Sequence, residues 1–527
     1  MMMKKLIAIS LLVGICSSSF TACGTKGKDI STDKSLVASP EAKTNGKLLD
    51  KPVTLSIMLP SNPSYPYKED WYIVKALQEK TNVTLKVDAI LNSNNAFDTK
   101  LNLVMASGDI PDLISPIGNA ITKKYGDQGA FIDAYDKANM DKTPNFKKWT
   151  NDNKAYVTNF MTSDNKVYMY PEKGIEEANR RGWLYREDIF KKNNLTVPKD
   201  EKELYTVLKK LKEIYPKSYP FSFRTTGLSQ FMMLAPSWGT DYQDSTHQLY
   251  YDSKAKDFVY GPIEDNFKDM ITFYNKLYTE KLIPPNTLTL DTKGWQDIMS
   301  NSDAFITVDY LSRIDSFNIP LQKTDPSYNL QYMAPPKGGA NGVNKFADSS
   351  TGTYGFVVSA KSKQLDSALK YVDWFYTKEA ADLTTWGEEG KTYNTVNGQK
   401  KFIGESVDVA QLRVKTGLST YGFYQVFDYN SHVSTFTKDT QTAYAESRKY
   451  DLPSYVSVAF TAEEQDIVNT VGVNIAKATD QQISRFIVGD RNLSEWDKYV
   501  KEIKDLGLDK LKAVYVKAYA RQQAATK

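Results

Sequence analysis

The sequence predicts an α/β protein of two lobes with a helical C-terminal region. Three observations predict it. The chain has 527 residues, more than one core usually supports. Strand and helix patterns alternate in two separate stretches, which implies sheets covered by helices. Helical periodicity then dominates the last third.

The first stretch opens at Val53. Val53, Leu55, Ile57 and Leu59 alternate with Thr54, Ser56 and Met58, the period of a strand. Pro60, Pro63 and Pro66 break the chain into a loop carrying Asn62, Tyr65 and Tyr67. A helix is predicted from about Lys68 to Lys80, and Val83, Leu85 and Val87 alternate as a second strand. Leu101, Val104 and Met105 mark a helix that stops at Ser107-Gly108-Asp109, where glycine supplies the cap. Pro111 to Ser115 reads as a short buried strand. This order implies a mostly parallel sheet. Asp112 is expected to be structural, as a local turn or helix cap.

The second stretch repeats the grammar. Gly182 to Tyr185 is strand-like and Arg186 to Asn194 helical. Asp200 and Glu203 have capping-box spacing ahead of a helix with Leu204, Val207, Leu208 and Leu211 on one face. Strands are predicted at Tyr219 to Arg224, Ala304 to Val308 and Tyr354 to Ser359. Helices carry Phe267 to Leu277 and Leu365 to Phe375. Thr461-Ala462-Glu463-Glu464 is a capping box opening a helix with Ile467, Val468, Val471 and Ile475.

The N-terminal residues predict export. Lys4 and Lys5 precede an apolar run from Leu6 to about Ile15, too short for a stop-transfer helix, and small residues follow. Phe20-Thr21-Ala22-Cys23-Gly24 is similar to a bacterial lipobox, with Phe20 where leucine is usual. Residues 1–22 are then a signal peptide, Cys23 carries the lipid (palmitate among its acyl chains), and 23–50 is a polar tether. The two cysteines are Cys16 and Cys23, so the processed chain has no disulfide and relies on its core. Net charge is +4, with Lys4 and Lys5 supplying two of those charges. The remaining +2 (4 − 2) argues against nucleic acid as a partner. The two histidines, His247 and His432, lie far apart with no ligand-spaced neighbours. They offer neither a zinc site nor a catalytic triad.

Several segments resemble the family 1 extracellular solute-binding proteins, in the large lipoprotein branch of Gram-positive carbohydrate importers. They are Met105-Ala106-Ser107-Gly108-Asp109-Ile110-Pro111-Asp112, Trp183 to Asp188 with Asn194 to Pro198, Leu277 to Ile283, Trp386 to Tyr393, and Phe486 to Gly489. They run in order across nearly all of the processed chain. The resemblance implies a periplasmic-binding-protein-like type II fold with crossing hinge strands, the chain passing between lobes near 168, 330 and 385. The lobes would be 51–168 plus 330–385, and 169–329 plus 386–527. It implies a monomer on the outer face of the cell membrane. That monomer would bind a carbohydrate by clamp-like closure and deliver it to ABC transporter permease subunits, with no enzymatic activity and no cofactor. Some relatives carry a calcium loop after the segment that matches Asn194 to Pro198. Here Leu211 to Pro220 lacks alternating Asp/Asn oxygens, and no metal is expected.

Sugars present hydroxyls and apolar faces, so a site needs Asp, Glu, Asn or Arg together with Trp or Tyr. Strand ends select the candidates. Asn62, Tyr65 and Tyr67 follow the first strand, and Asn119 follows the third. Arg224, Thr225 and Trp238 follow the Phe221 segment. Asp309, Tyr310 and Arg313 follow Val308, where unpaired charge would be poor core material. Trp386, Glu389 and Tyr393 occupy a glycine-rich turn. The competing readings are ordinary loops, an inter-lobe ion pair and a packed turn. A hydrolase would need a defined carboxylate pair, and no motif selects one. The same fold could bind a peptide or another solute, or serve as an adhesin or sensor.

Overall fold

The computed structural model describes residues 46–92, 96–224, 227–242, 249–346, 352–404, 409–452 and 456–525. Two sheets organise them. Their strands are β1 (Val53–Ser61), β2 (Val83–Leu91), β3 (Leu113–Gly118), β4 (Tyr170–Pro171), β5 (Arg181–Arg186), β6 (Ile306–Tyr310), β7 (Leu330–Met333) and β8 (Tyr354–Val358). The first sheet runs β2-β1-β3-β8-β4 and the second β6-β5-β7.

β1 begins where the alternation begins. It pairs parallel with β2 from Val53↔Val83 to Ser61↔Leu91, and with β3 at Ile57↔Leu113. A central strand covered on both faces buries consecutive residues, and Ile57, Met58 and Leu59 are all buried. Helices Tyr72–Thr81 and Ala96–Ser107 make the crossovers. Gly108 ends the second with φ +72°. β8 departs from the parallel expectation: it is antiparallel to both β3 and β4. Asp112 is structural, but as a tie between elements. It accepts from Ser56 N at 2.8 Å and Oγ at 2.7 Å, and from Ser362 Oγ at 2.6 Å.

The second sheet is antiparallel throughout its named strands. The strand expected at Tyr219 to Arg224 shrinks to one bridge, Phe221↔Ile306. Pro220 has no N–H for a ladder, and its carbonyl accepts from both Phe305 N and Ile306 N at 3.0 Å. The Thr461–Glu464 capping box forms in full. At Asp200 the box is displaced: Asp200 caps Lys202 N and Glu203 N, while Glu203 accepts from Lys199 N at 2.9 Å. Helix Val473–Val488 packs on helix Asp265–Thr279, where Asn275 Nδ2 donates to Phe486 O at 2.9 Å. In the Leu211 to Pro220 segment, Lys212 Nζ donates to Ser218 O at 2.5 Å.

Two large cores follow the sheets. One gathers Leu55, Ile57, Phe146, Trp149, Phe356 and Trp374; the other gathers Trp183, Phe221, Phe267, Ile306, Ile475 and Phe486. Their membership differs from the expected lobe boundaries in two places. Leu330–Met333 pairs with β5, and Phe346 packs in the second core. Leu412, Leu418, Phe423 and Val426 pack in the first core. The chain therefore crosses at 172–180, between Phe346 and Tyr354, and after Phe427, where Tyr429 packs on a second-unit cluster. The family resemblance implies a crossing near 385. Gly387 and Gly390 instead have φ of +86° and +80° and fold the chain back on the first unit.

One buried carboxyl ties the first unit's helices. Asp373 accepts from Phe146 N and Asn145 Nδ2, each at 2.8 Å. Burial pushes it up to about 7, and those two bonds offset only part of that effect. The stabilisation carried by its acid form is complete below the usual value of 3.8. It is lost as pH rises through 7, because the unfolded chain releases the proton first. Denaturant melts at pH 4.5 and 7.5 should show Asp373→Asn gaining on the wild type across that window, by a few kcal/mol. Parallel pH profiles for the two proteins would refute the assignment.

Candidate functional site: a cleft at the hinge

The first and third crossings meet in a small cluster of Ile175, Ala178, Tyr424 and Phe427, with Tyr421 against it. Lys173 N donates to Gln425 O at 3.0 Å and Phe427 N donates to Lys173 O at 2.8 Å. Two crossing segments thus run side by side as a parallel bridge. Gly174 sits there with φ +106°, and a Cβ on it would lie 2.5 Å from Phe427 O. Beyond the hinge, Arg180 bonds Asp451 and Glu177, and Tyr444 Oη donates to Ala178 O at 2.7 Å.

A cavity of about 340 Å³ opens on the first unit beside this hinge. The ends of β1 and β3 and the start of β8 form its floor, and Tyr65, Tyr67, Trp71, Tyr354, Tyr421 and Phe423 give it aromatic walls. Tyr67 stacks on Phe423 at 6.0 Å and meets Trp71 edge-on at 5.7 Å. The Arg413 guanidinium lies over the Tyr65 ring at 5.2 Å. Asn62, Asn92 and Asp98 add polar groups. Burial, with Glu69 nearby, raises the Tyr67 phenol to about 12, so it is a neutral donor at physiological pH.

Strand-end reasoning therefore places Asn62, Tyr65 and Tyr67 in the cavity. Asn62 also shapes its loop, since its Oδ1 accepts from Ser64 N at 2.9 Å. Asn119 is adjacent but turned aside: Nδ2 donates to Asn159 O at 2.7 Å, and Gly118 and Ile121 form the wall. Its buried Oδ1 has no partner among the described residues.

Arg224, Asp309, Tyr310 and Arg313 form one cluster on the second unit. Asp309 is fully buried and accepts from Arg224 Nε at 2.6 Å and from Arg313 Nε at 3.2 Å. Three guanidiniums surround the Tyr310 ring, Arg181 at 4.6 Å, Arg224 at 5.3 Å and Arg313 at 5.9 Å. Burial works to raise the Tyr310 phenol, but Arg181 and Arg224 hold it below its ordinary value. Arg181 is the first residue of β5 and pairs with Tyr310, so the cluster begins where the hinge ends. Thr225 lies outside the described residues.

The structure corrects four expected contacts. Trp238 is a core residue whose ring fills the slot left by Gly338, only 2.3 Å from where a Cβ would stand. Trp386 is buried, donates Nε1 to Asp428 Oδ2 at 2.8 Å and stacks on Phe402 at 4.9 Å. Tyr393 packs beside Trp386 at 5.7 Å. Glu389 accepts from Thr395 N at 3.0 Å and closes the turn. The packed-turn reading holds for these three, because Trp386 finds its partner on the segment about to cross.

Sequence reasoning missed Trp71, Tyr354, Tyr421, Phe423, Arg413 and Arg181. Tyr354 begins a strand, so a rule based on strand C-termini skips it. An antiparallel strand brings its start to the edge where the parallel strands end. Tyr421 and Phe423 lie in a segment without periodicity, and no local signal marks them.

Comparison with known proteins gives a family. The profile described as "Bacterial extracellular solute-binding protein" matches residues 63–382, more than half of the chain. The chain is 26% identical over 545 residues to the fructooligosaccharide ABC transporter substrate-binding protein FusA of Streptococcus pneumoniae serotype 4 (strain ATCC BAA-334 / TIGR4), covering 95% of this chain and 96% of that protein. It is 23% identical over 548 residues to the polygalacturonan/rhamnogalacturonan-binding protein YtcQ of Bacillus subtilis (strain 168), covering 97% and 98% respectively. The solved structure of alginate-binding protein AlgQ2 without calcium ion shares the fold, with a TM-score of 0.73 at 24% identity over 91% of this chain and 100% of that one. With a cleft at the hinge of two units and a family match running through both, the chain belongs to the bacterial extracellular solute-binding proteins.

Proposed function

We propose that the chain captures an oligosaccharide in the hinge cleft and delivers it to the permease of an ABC importer. The observation that carries this is the aromatic wall of Tyr65, Tyr67, Tyr354, Tyr421 and Phe423 beside Asn62, Asn92 and Asp98. Ring faces pack the apolar faces of sugars, and the amides and carboxylate bond their hydroxyls. FusA and YtcQ are named for saccharide ligands, which supports the same class here. Capture works by closure: a ligand touching both units favours the closed state by its extra contacts there.

Binding without chemistry is part of the reading. Asp98 is the one carboxylate lining the cavity among the described residues, whereas glycoside hydrolysis uses a pair. The acylated form is the second part. Cys23, outside the described residues, would hold the protein as a monomer on the outer membrane face, and the run Leu6 to Ile15 ahead of Ala22-Cys23 supports it. Among the described residues no helix is long and apolar enough to cross a membrane.

Thermal melts of residues 24–527 against saccharide and peptide panels test the class. A matching oligosaccharide at a hundred times its Kd should stabilise the fold by about 2.7 kcal/mol. Shifts with peptides alone would overturn the carbohydrate reading. Two variants then separate wall from scaffold. Tyr65→Ala should weaken binding about tenfold, roughly 1.4 kcal/mol, with a small change in stability. Trp386→Leu should lower stability by about 2–4 kcal/mol and leave affinity unchanged, read by calorimetry on the folded fraction.

A further inference from the structure

An aromatic wall accepts a sugar of any charge. The opposite side of the hinge is more selective. Arg224 and Arg313 both turn their Nε edges to the one buried carboxylate, Asp309. Arg224 adds a long Nη2 contact of 3.4 Å to the same group. A guanidinium has five N–H donors. Arg224 also has the Tyr310 phenol oxygen as a side-chain partner, whereas among the described residues both Nη groups of Arg313 have no protein acceptor. These side chains keep 22% and 18% of their surface exposed, so a ligand can reach them.

Charge points the same way. Asp309 is the one carboxylate within ion-pair distance of Arg224 and Arg313 among the described residues. One buried carboxylate needs one guanidinium to neutralise it, and here two contact it directly. Asp98, the one carboxylate that lines the cavity among the described residues, belongs to the other unit.

The forks are also held in place. The Arg313 guanidinium is flanked by Trp295 at 5.2 Å and Tyr310 at 5.9 Å, and Trp295 is fixed by its Nε1 bond to Thr307 Oγ1 at 3.0 Å. A fork already oriented loses little freedom when it binds.

We infer that Arg224 and Arg313 read an anionic group on the sugar, so the ligand is an acidic oligosaccharide bearing a carboxylate, sulfate or phosphate. This rests on the carbohydrate reading above and narrows it. Planar oxygen pairs suit the guanidinium fork, and all three groups supply them.

The test is calorimetry on the intact processed chain with matched ligands. Oligouronates of several linkages are compared with the same oligomers after carboxyl reduction to alcohols, and with sulfated and phosphorylated oligosaccharides. At least one charged oligomer should bind about ten times or more tighter than its neutral counterpart, and the gap should narrow between roughly 50 and 500 mM salt. Which anionic series wins identifies the group. Arg313→Gln should remove most of that gap, and Arg313→Lys should restore part of it. Should the variants fail to fold, the charged-against-reduced comparison on the wild type still decides. Equal or tighter binding of neutral oligomers overturns the inference and leaves the carbohydrate reading intact. Binding of simple organic anions with no saccharide at all overturns the carbohydrate reading, and binding of nothing in the panel overturns both.

Discussion

The backbone of Lys173 lies between two halves of the molecule. Its N–H and C=O both bond the segment from Gln425 to Phe427, so two strands that cross between units are registered against each other. The position of everything else in the cleft follows from that registration. Tyr421 precedes the returning segment by a few residues, and Arg181 follows the outgoing one. Gly174 lets the two backbones approach, since a side chain there would collide with the Phe427 carbonyl. A bridge of two hydrogen bonds can flex while keeping its partners, which is what a clamp needs at its pivot.

The sheets translate this pivot into a binding surface. In the first unit three parallel strands end at one edge, and β8 enters from the same edge in the opposite sense. Loops after β1 and β3 therefore meet the start of β8, and their side chains converge on one cavity. In the second unit the antiparallel pairing of β5 with β6 sets Arg181 against Tyr310. Asp309 then draws Arg224 and Arg313 to the same spot. Strand direction thus sets where the aromatic cavity of one unit and the guanidinium cluster of the other begin.

Much of this is legible in the chain. The period-two pattern of Val53 to Leu59 identifies β1, and Gly108 marks the helix end ahead of β3. The strand-end rule selects Tyr65 and Tyr67, which line the cavity, and Arg224 and Tyr310, which share one cluster. What it misses depends on distant partners. Trp238 is core because Gly338, far along the chain, leaves room for its ring. Trp386 is scaffold because Asp428 takes its N–H. The sense of β8 is set by which strands flank it, information that no local pattern holds. The third crossing lies later than the resemblance implies, because the glycine-rich turn near 387–390 doubles back and its composition is the same whether the chain leaves or returns.

The three crossings also bear on how such a chain comes to be folded. The first sheet is incomplete until β8 is made, and its core until Val426. The second core draws on helices up to the C-terminal end. Neither half can therefore close on itself while the chain is emerging in order, and both depend on contacts between residues far apart in sequence. Contacts of that kind form slowly. For a protein of an extracellular family that is exported ahead of folding, late completion would be an advantage. The same discontinuity that builds a hinge keeps the chain threadable until nearly all of it has arrived.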